Sequence, residues 1–98
     1  SCPDTLIPKE GVYAVYAYID EVRYAGMLNI GHRPTVDNGS NLSIEVHILN
    51  FSGDIYNHHM RIEFIEFIRQ EQKFDSLEKL ITQLNTDRET VSRLLLHS

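Results

Sequence analysis

A carboxylate and an imidazole lie two residues apart in the most regularly alternating stretch of this sequence. Glu45 and His47 belong to residues 42–51, where apolar residues recur at every second position, as in a β-strand with one apolar face. A carboxylate within hydrogen-bonding distance of a hydroxyl can take its proton, and a neighbouring imidazole can orient the carboxylate. The alternative is a solvated strand face, which the alternation alone favours, because antiparallel sheets often have one wet side.

A second group of polar residues lies around a predicted break in the chain. Asn29 precedes the segment Gly31-His32-Arg33-Pro34-Thr35, in which Pro34 has no backbone N–H and disfavours helical geometry at Arg33. Arg33 and Thr35 side chains presented by such a bend can donate hydrogen bonds to phosphate oxygens. The alternative is a structural turn in which Arg33 pairs with a carboxylate.

A third group, Arg69, Glu71, Lys73 and Phe74, lies where a predicted strand gives way to a predicted helix. The guanidinium of Arg69 can bond to ligand oxygens, and Phe74 can pack beside an aromatic ring system. The alternative is a lead-in to the helix with solvated charges and an aromatic core residue. Both interpretations stay open for Arg69, and the solvated one is favoured for Lys73.

Four runs rich in aromatic and β-branched residues predict the strands that would position these groups. They span residues 12–19, 22–30, 42–51 and 60–68. Asp20-Glu21 is the expected turn of a hairpin between the first two. Short antiparallel strands separated by turn signals predict a mainly β domain, a small barrel or sandwich, rather than a parallel α/β sheet.

The last third of the sequence predicts helix, because its apolar residues change to a helical period. A capping-box-like start places the N-cap at Asp75 or Ser76. A second such pair, Thr86 and Glu89, leaves open whether residues 75–96 form one helix or a broken helix pair. The apolar positions are expected to pack on the barrel. They are Leu77, Leu80, Ile81, Leu84, Val91 and Leu94.

Composition limits the class of protein. Ninety-eight residues make one domain, and 42% apolar with 23% charged residues is typical of a soluble globular one. The formal charge of −5 speaks against a nucleic-acid or anionic-membrane partner but permits a nucleotide ligand. No apolar run is long enough for a membrane helix, nothing resembles a signal peptide, and a single cysteine forms no internal disulfide. We expect a cytoplasmic domain with no membrane partner.

Four segments, taken in order, resemble the riboflavin kinase family and cover nearly the whole chain. The resemblance is to the C-terminal halves of bacterial bifunctional riboflavin kinase/FMN adenylyltransferases (FAD synthetases). The segments are Gly11-Val12-Tyr13-Ala14-Val15, Leu28-Asn29-Ile30-Gly31-His32-Arg33-Pro34-Thr35, Ile44-Glu45-Val46-His47-Ile48 with Phe51-Ser52-Gly53-Asp54-Ile55-Tyr56, and Phe67-Ile68-Arg69-Gln70-Glu71-Gln72-Lys73-Phe74-Asp75-Ser76-Leu77-Glu78.

This resemblance implies a six-stranded antiparallel Greek-key β-barrel, with barrel strands in residues 1–74 and a C-terminal helical segment in residues 75–96. It also implies an enzyme that transfers the γ-phosphate of ATP to the 5′-hydroxyl of riboflavin, giving FMN, with the help of Mg²⁺. The family's Pro-Thr-Ala-Asn motif, whose Thr and Asn help hold Mg²⁺, would lie upstream of Leu6. We therefore expect no metal ligand in this chain, and an adenylyltransferase domain and the first strands upstream of it.

The chain is thus expected to be an incomplete domain, inactive alone and prone to self-association through uncovered apolar barrel surface. The resemblance implies that Glu45 is the catalytic base. It further implies flavin and nucleotide contacts in the segment of Arg69, Glu71 and Phe74, which we assign to substrate binding. We add His47 to that group from its place on the face of Glu45, with a structural histidine as the open alternative. Asn29, Arg33 and Thr35 are assigned to nucleotide binding. Two other hypotheses are a non-catalytic flavin- or nucleotide-binding barrel and an oligonucleotide-binding barrel, the latter disfavoured by the acidic charge.

Overall fold

Four antiparallel strands in one sheet, followed by one helix, make up the described part of the chain. A computed structural model describes residues 8–34, 39–51 and 59–96, and of Arg33, Pro34 and Ser40 the backbone alone. The elements are β1 (Gly11–Ile19), β2 (Val22–Pro34), β3 (Ser40–Ile48), β4 (Met60–Arg69) and α1 (Leu77–Leu95).

The strands are arranged in the order β3-β2-β1-β4, so the fourth strand returns to lie beside the first. This is the Greek-key order. The predicted mainly β class with Greek-key topology and a C-terminal helix is therefore confirmed. Among the described residues β3 and β4 form the two edges of the sheet, and closure into a six-stranded barrel stays a prediction.

The predicted hairpin between β1 and β2 is confirmed. Ile19 pairs with Val22, and the two residues between them, Asp20 and Glu21, have φ of 51° and 71°. A two-residue turn with both central φ values positive is the type I′ turn, whose twist matches that of the flanking strands. The strong strand propensity on both sides holds two residues other than glycine in this backbone region.

The predicted ends of β2 and β3 were wrong. β2 does not end at Ile30 but continues through Pro34, which pairs with Ser40 at the last position of the ladder. At the end of a strand the missing N–H of proline costs little. β3 ends at Ile48 rather than at Phe51, because Asn50 adopts φ of 59° and the chain turns there.

The helical segment is one continuous helix, so the broken pair is excluded. Ser76 is the N-cap, and its Oγ accepts a hydrogen bond from the backbone N–H of Lys79 at 3.1 Å. Thr86 does not interrupt the helix, since its Oγ1 donates to the carbonyl of Thr82 one turn earlier at 3.1 Å. Asp75 instead forms an exposed ion pair with the Lys79 ammonium.

Apolar residues pack on both faces of the sheet. On the face covered by α1, Val91 packs with Ala14, Ala25, Met27 and Leu49. The expected apolar stripe of the helix is wrong for Leu77, Ile81 and Leu94, which are exposed. Val91 is the helix's buried apolar residue, and the other buried position is a carboxylate, Asp87, only 2% exposed.

The face opposite α1 carries a second apolar cluster. Tyr13, Val15, Leu28 and Ile30 are buried there, and Val46, Ile62 and Phe67 pack against them. Towards both edges this face is open, since Leu42, Ile44 and Phe64 are 43%, 56% and 43% exposed. Self-association through this surface stays a prediction.

Candidate functional site

Four residues form a row across the sheet, one from each strand. Glu45 of β3 is paired with Asn29 of β2, Asn29 with Val12 of β1, and Val12 with Arg69 of β4. The row lies on the face covered by α1 and lines a cavity of about 220 Å³. The remaining lining residues are Met27, His47, Glu71, Gln72, Phe74, Leu80, Leu84 and Asp87.

Six of the eight site residues expected from the sequence line this cavity. They come from all three groups defined above, although β2, β3 and the segment after β4 are distant along the chain. The six are Glu45, His47, Asn29, Arg69, Glu71 and Phe74. The structure therefore brings the three groups together at one place.

Glu45 and His47 share the face of β3 that looks towards the helix, as the alternation predicted. Both side chains are exposed, so each is accessible to a ligand in the cavity. His47 lies opposite Met27, two residues along the strands from the pair of Glu45 with Asn29. The carboxylate and the imidazole are therefore neighbours at the edge of the cavity formed by β3.

Glu71 lies over β2. Its Oε2 accepts a long hydrogen bond, 3.4 Å, from the Asn29 side-chain amide. A Cβ placed on Gly31 would overlap the Glu71 carboxylate, so the absence of a side chain at residue 31 makes room for it. The sequence analysis placed Gly31 in a bend and did not predict that it leaves space for the Glu71 side chain.

Arg69 is held by Asp87 of the helix. Its Nε donates to both carboxylate oxygens, at 3.0 and 3.1 Å, and its Nη2 donates to Oδ2 at 2.8 Å. The Gln83 amide also donates to Oδ1 of Asp87, at 3.0 Å, and Nη1 of Arg69 donates to the carbonyl of Gln70. Arg69 is thus not a solvated charge, since its side chain is only 17% exposed.

The buried carboxylate was missed by the sequence analysis. One signal was available, because Leu84, Asp87 and Val91 follow the i, i+3, i+7 spacing of one helix face. A charged residue in that pattern indicates a buried partner, since an unpaired carboxylate would cost several kcal/mol inside a protein. The identity of the partner depends on the tertiary structure.

The remaining predicted residues contribute less to the lining of the cavity or lie outside the described residues. Phe74 is half-buried and lines the cavity with Leu80 and Leu84, whereas Lys73 is exposed, in line with its solvated interpretation. Arg33 pairs through its backbone with Asn41. Its side chain and the whole of Thr35 lie outside the described residues, so their expected nucleotide contacts stay predictions.

The cavity combines a carboxylate, an imidazole, an amide and a guanidinium with an aromatic and aliphatic wall. Pockets for whole organic ligands usually measure about 300–1,000 Å³. At about 220 Å³ this cavity has room for part of such a ligand. In the three described ranges no three His, Cys, Asp or Glu residues cluster in a way that could hold a metal ion. Fold and site together define a Greek-key β domain with a polar cavity between sheet and helix.

Comparison with known proteins assigns the family. A family model described as flavokinase, riboflavin kinase, matches residues 1–95. The chain is 43% identical over 81 residues to the bifunctional riboflavin kinase/FMN adenylyltransferase of Pseudomonas fluorescens, covering 83% of this chain and 26% of that protein. It is 44% identical over 84 residues to the protein of the same name from Listeria monocytogenes, covering 86% and 27%. The chain belongs to the riboflavin kinase family.

A solved structure resembles the fold as well. It is described as a macrolide-efflux protein from Streptococcus pneumoniae, with a TM-score of 0.79 and 35% identity over 87% of this chain and 28% of that one. The chain spans about a quarter of the length of the curated relatives cited above. No helix within the described residues has the length and apolar character needed to cross a membrane.

Proposed function

We propose that this chain is the riboflavin kinase portion of a bifunctional enzyme, and that it transfers the γ-phosphate of ATP to the 5′-hydroxyl of riboflavin. One observation carries the proposal: Glu45, a carboxylate accessible from solvent, lies on the rim of a cavity that also contains Asn29, Arg69 and Phe74. The family membership supports riboflavin as the acceptor.

Glu45 is the proposed general base. As the riboflavin 5′-oxygen forms its bond to the γ-phosphorus, the bond from that phosphorus to the ADP oxygen breaks, and ADP leaves with the electron pair. The hydroxyl proton passes to Glu45. His47, on the same strand face, helps to orient the carboxylate or the ribityl chain.

The other residues bind and orient the flavin. Phe74 presents a half-buried ring that suits packing against the isoalloxazine. Arg69 retains N–H groups beyond those bonded to Asp87 and Gln70, and these can donate to flavin oxygens. Glu71 and Asn29 complete the polar lining, with Asn29 on the side of the nucleotide together with Arg33 and Thr35.

Mg²⁺ is proposed to accompany ATP, as in other phosphoryl transfers from ATP. The family resemblance assigns its binding to a Thr and an Asn that are not among the residues of this chain. An adenylyltransferase domain in the same polypeptide and a cytoplasmic location belong to the same proposal.

The test is a riboflavin kinase assay on the full-length gene product with ATP and Mg²⁺, in which FMN is followed by chromatography. Glu45→Gln removes the basic carboxylate while preserving its shape. Loss of one general base typically costs about 10²–10⁴-fold in rate. We expect kcat to fall within that range and riboflavin affinity to change less than about threefold, since the binding residues remain.

Glu66→Gln is the matched control, because Glu66 is an exposed glutamate of β4 that does not line the cavity. It should leave kcat unchanged. Wild-type turnover in Glu45→Gln would remove Glu45 from the mechanism. Flavin binding without FMN formation by the wild-type protein would instead support a non-catalytic flavin-binding domain.

A further inference from the structure

The attachment of α1 to the sheet depends on few groups. Leu77 and Ile81, in the first two turns, are exposed, and Val91, the buried apolar residue of the helix, lies in the second half. Between them Asp87 is 2% exposed and holds Arg69 at the end of β4. The ion pair of Asp87, near the middle of the helix, with Arg69 therefore holds the first half of the helix close to the strands.

This same half of the helix forms a wall of the ligand cavity. Leu80 and Leu84 line it from the helix, two turns and one turn before Asp87, while Arg69 lines it from the sheet. The carboxylate of Asp87 contacts the guanidinium through two nitrogens, which fixes the plane of the guanidinium as well as its place. One carboxylate thus sets both the direction of the Arg69 donors and the distance between the two walls.

The carboxylate of Asp87 accepts hydrogen bonds from both the sheet and the helix. Oδ1 accepts from Arg69 and from Gln83, and Oδ2 accepts twice from Arg69. Gln83 lies one turn earlier on the same helix, so it holds the carboxylate against the helix while Arg69 holds it against the sheet. A carboxylate braced from both elements allows little rotation of Arg69.

We propose that Asp87 is a positioning residue for riboflavin: at the wall of the cavity its carboxylate is taken up by Arg69 and Gln83, so it acts by orienting Arg69 and by setting the spacing between helix and sheet. This inference rests on the proposed function. The pair of Asp87 with Arg69 carries no net charge, so Arg69 acts there as a set of aimed donors rather than as a free cation. Loss of Asp87 should therefore weaken flavin binding more than it slows phosphoryl transfer.

The test measures riboflavin affinity by quenching of flavin fluorescence, and KM and kcat for both substrates, in the full-length protein. Asp87→Asn keeps the side-chain volume but removes the charge and one acceptor. We expect Kd and KM for riboflavin to rise at least tenfold, with KM for ATP and kcat changing less than threefold. A riboflavin Kd within twofold of wild type would overturn the proposal.

A second variant separates positioning from folding. Asp87→Glu keeps the charge, and glutamate is compatible with a helix, but its carboxylate stands one methylene further from the backbone. Because the added methylene enters a buried position, we expect a lower thermal midpoint than in the wild type; at a temperature where the variant is folded, the riboflavin Kd should be raised at least threefold. Wild-type affinity in folded Asp87→Glu would show that pairing alone matters and would overturn the geometric role, whether or not Asp87→Asn folds.

Asp75→Asn is the control on the same helix, because it breaks the exposed pair with Lys79 and lies outside the cavity. It should change no binding parameter. The two proposals fail differently. If the wild-type protein neither binds nor phosphorylates riboflavin, the proposed function is wrong; if it does both and the Asp87 variants bind equally well, only the positioning role is wrong.

Discussion

Two glycines of β2 should respond in opposite ways to replacement by alanine. A Cβ on Gly26 would lie 2.8 Å from the backbone carbonyl oxygen of His47, in a ladder where Gly26 pairs with Ile48. A Cβ on Gly31 would meet the carboxylate of Glu71, which is the end of an exposed, flexible side chain. Backbone in a paired strand cannot move aside, whereas the Glu71 side chain can rotate away.

The magnitudes follow from these contacts. Overpacking against fixed structure costs about 1–3 kcal/mol, and alanine in a strand recovers about 0.5–1 kcal/mol relative to glycine. Gly26→Ala should therefore destabilise the domain by about 1–2 kcal/mol. That loss corresponds to a decrease in Tm of roughly 5–15 °C for a domain of this size. Gly31→Ala should change the free energy of unfolding by less than about 1 kcal/mol, with a small gain expected.

Thermal and urea unfolding followed by far-UV circular dichroism measure both values. Gly31→Ala has a further readout in riboflavin binding, because the new methyl group displaces Glu71 from the cavity. A weakening of about three- to tenfold is expected, which corresponds to about 0.7–1.4 kcal/mol. Equal losses of stability in the two variants would refute the distinction between fixed backbone and movable side chain.

Two further predictions concern stability. Burial raises the pKa of the Tyr13 hydroxyl above its ordinary value of 10.0, and this hydroxyl donates to the carbonyl of Lys9 at 2.6 Å. Because the folded state favours the protonated form, the Tyr13 hydroxyl contributes fully to the free energy of unfolding below pH 10.0, and this contribution is lost as the pH rises towards the raised pKa. Urea unfolding across this pH range should therefore show a smaller alkaline loss of stability in Tyr13→Phe than in the wild type. Ser76→Ala removes the N-cap acceptor of α1 and should cost about 1 kcal/mol in the same assay, while Asp75→Asn should cost less than about 0.5 kcal/mol; the reverse order would move the cap to Asp75.

The positions of the strands could be predicted because they depend on local amino-acid composition. The aromatic and β-branched residues of β1 and β4 define those strands without knowledge of their partners, and the alternation in β3 assigned Glu45 and His47 to one face. The end of β2 could not be predicted, since Gly31 and Pro34 oppose a strand locally. Pairing with β3 overrides that preference.

The site was predicted in part for a related reason. Glu45, Asn29 and Arg69 were recognised by residue type and by family resemblance, but their arrangement in one row follows from strand register, which single residues do not reveal. Asp87 was missed because its role depends on Arg69, a residue of another element. Leu77 and Ile81 have the helical spacing of core residues, yet no described part of the sheet covers them.

The Greek-key order also predicts that the two halves of the site form at different times during folding. Asn29 and Glu45 come together in a pairing between consecutive strands, which closes a short loop and can form early. Arg69 reaches the row through β1, and its pairing with Val12 joins residues separated by more than half of the chain. Contacts of such separation form late, because the entropy of closing a long loop must be overcome first. We therefore expect a partly folded chain, or one still leaving the ribosome, to form the part of the cavity with Asn29 and Glu45 before the part with Arg69.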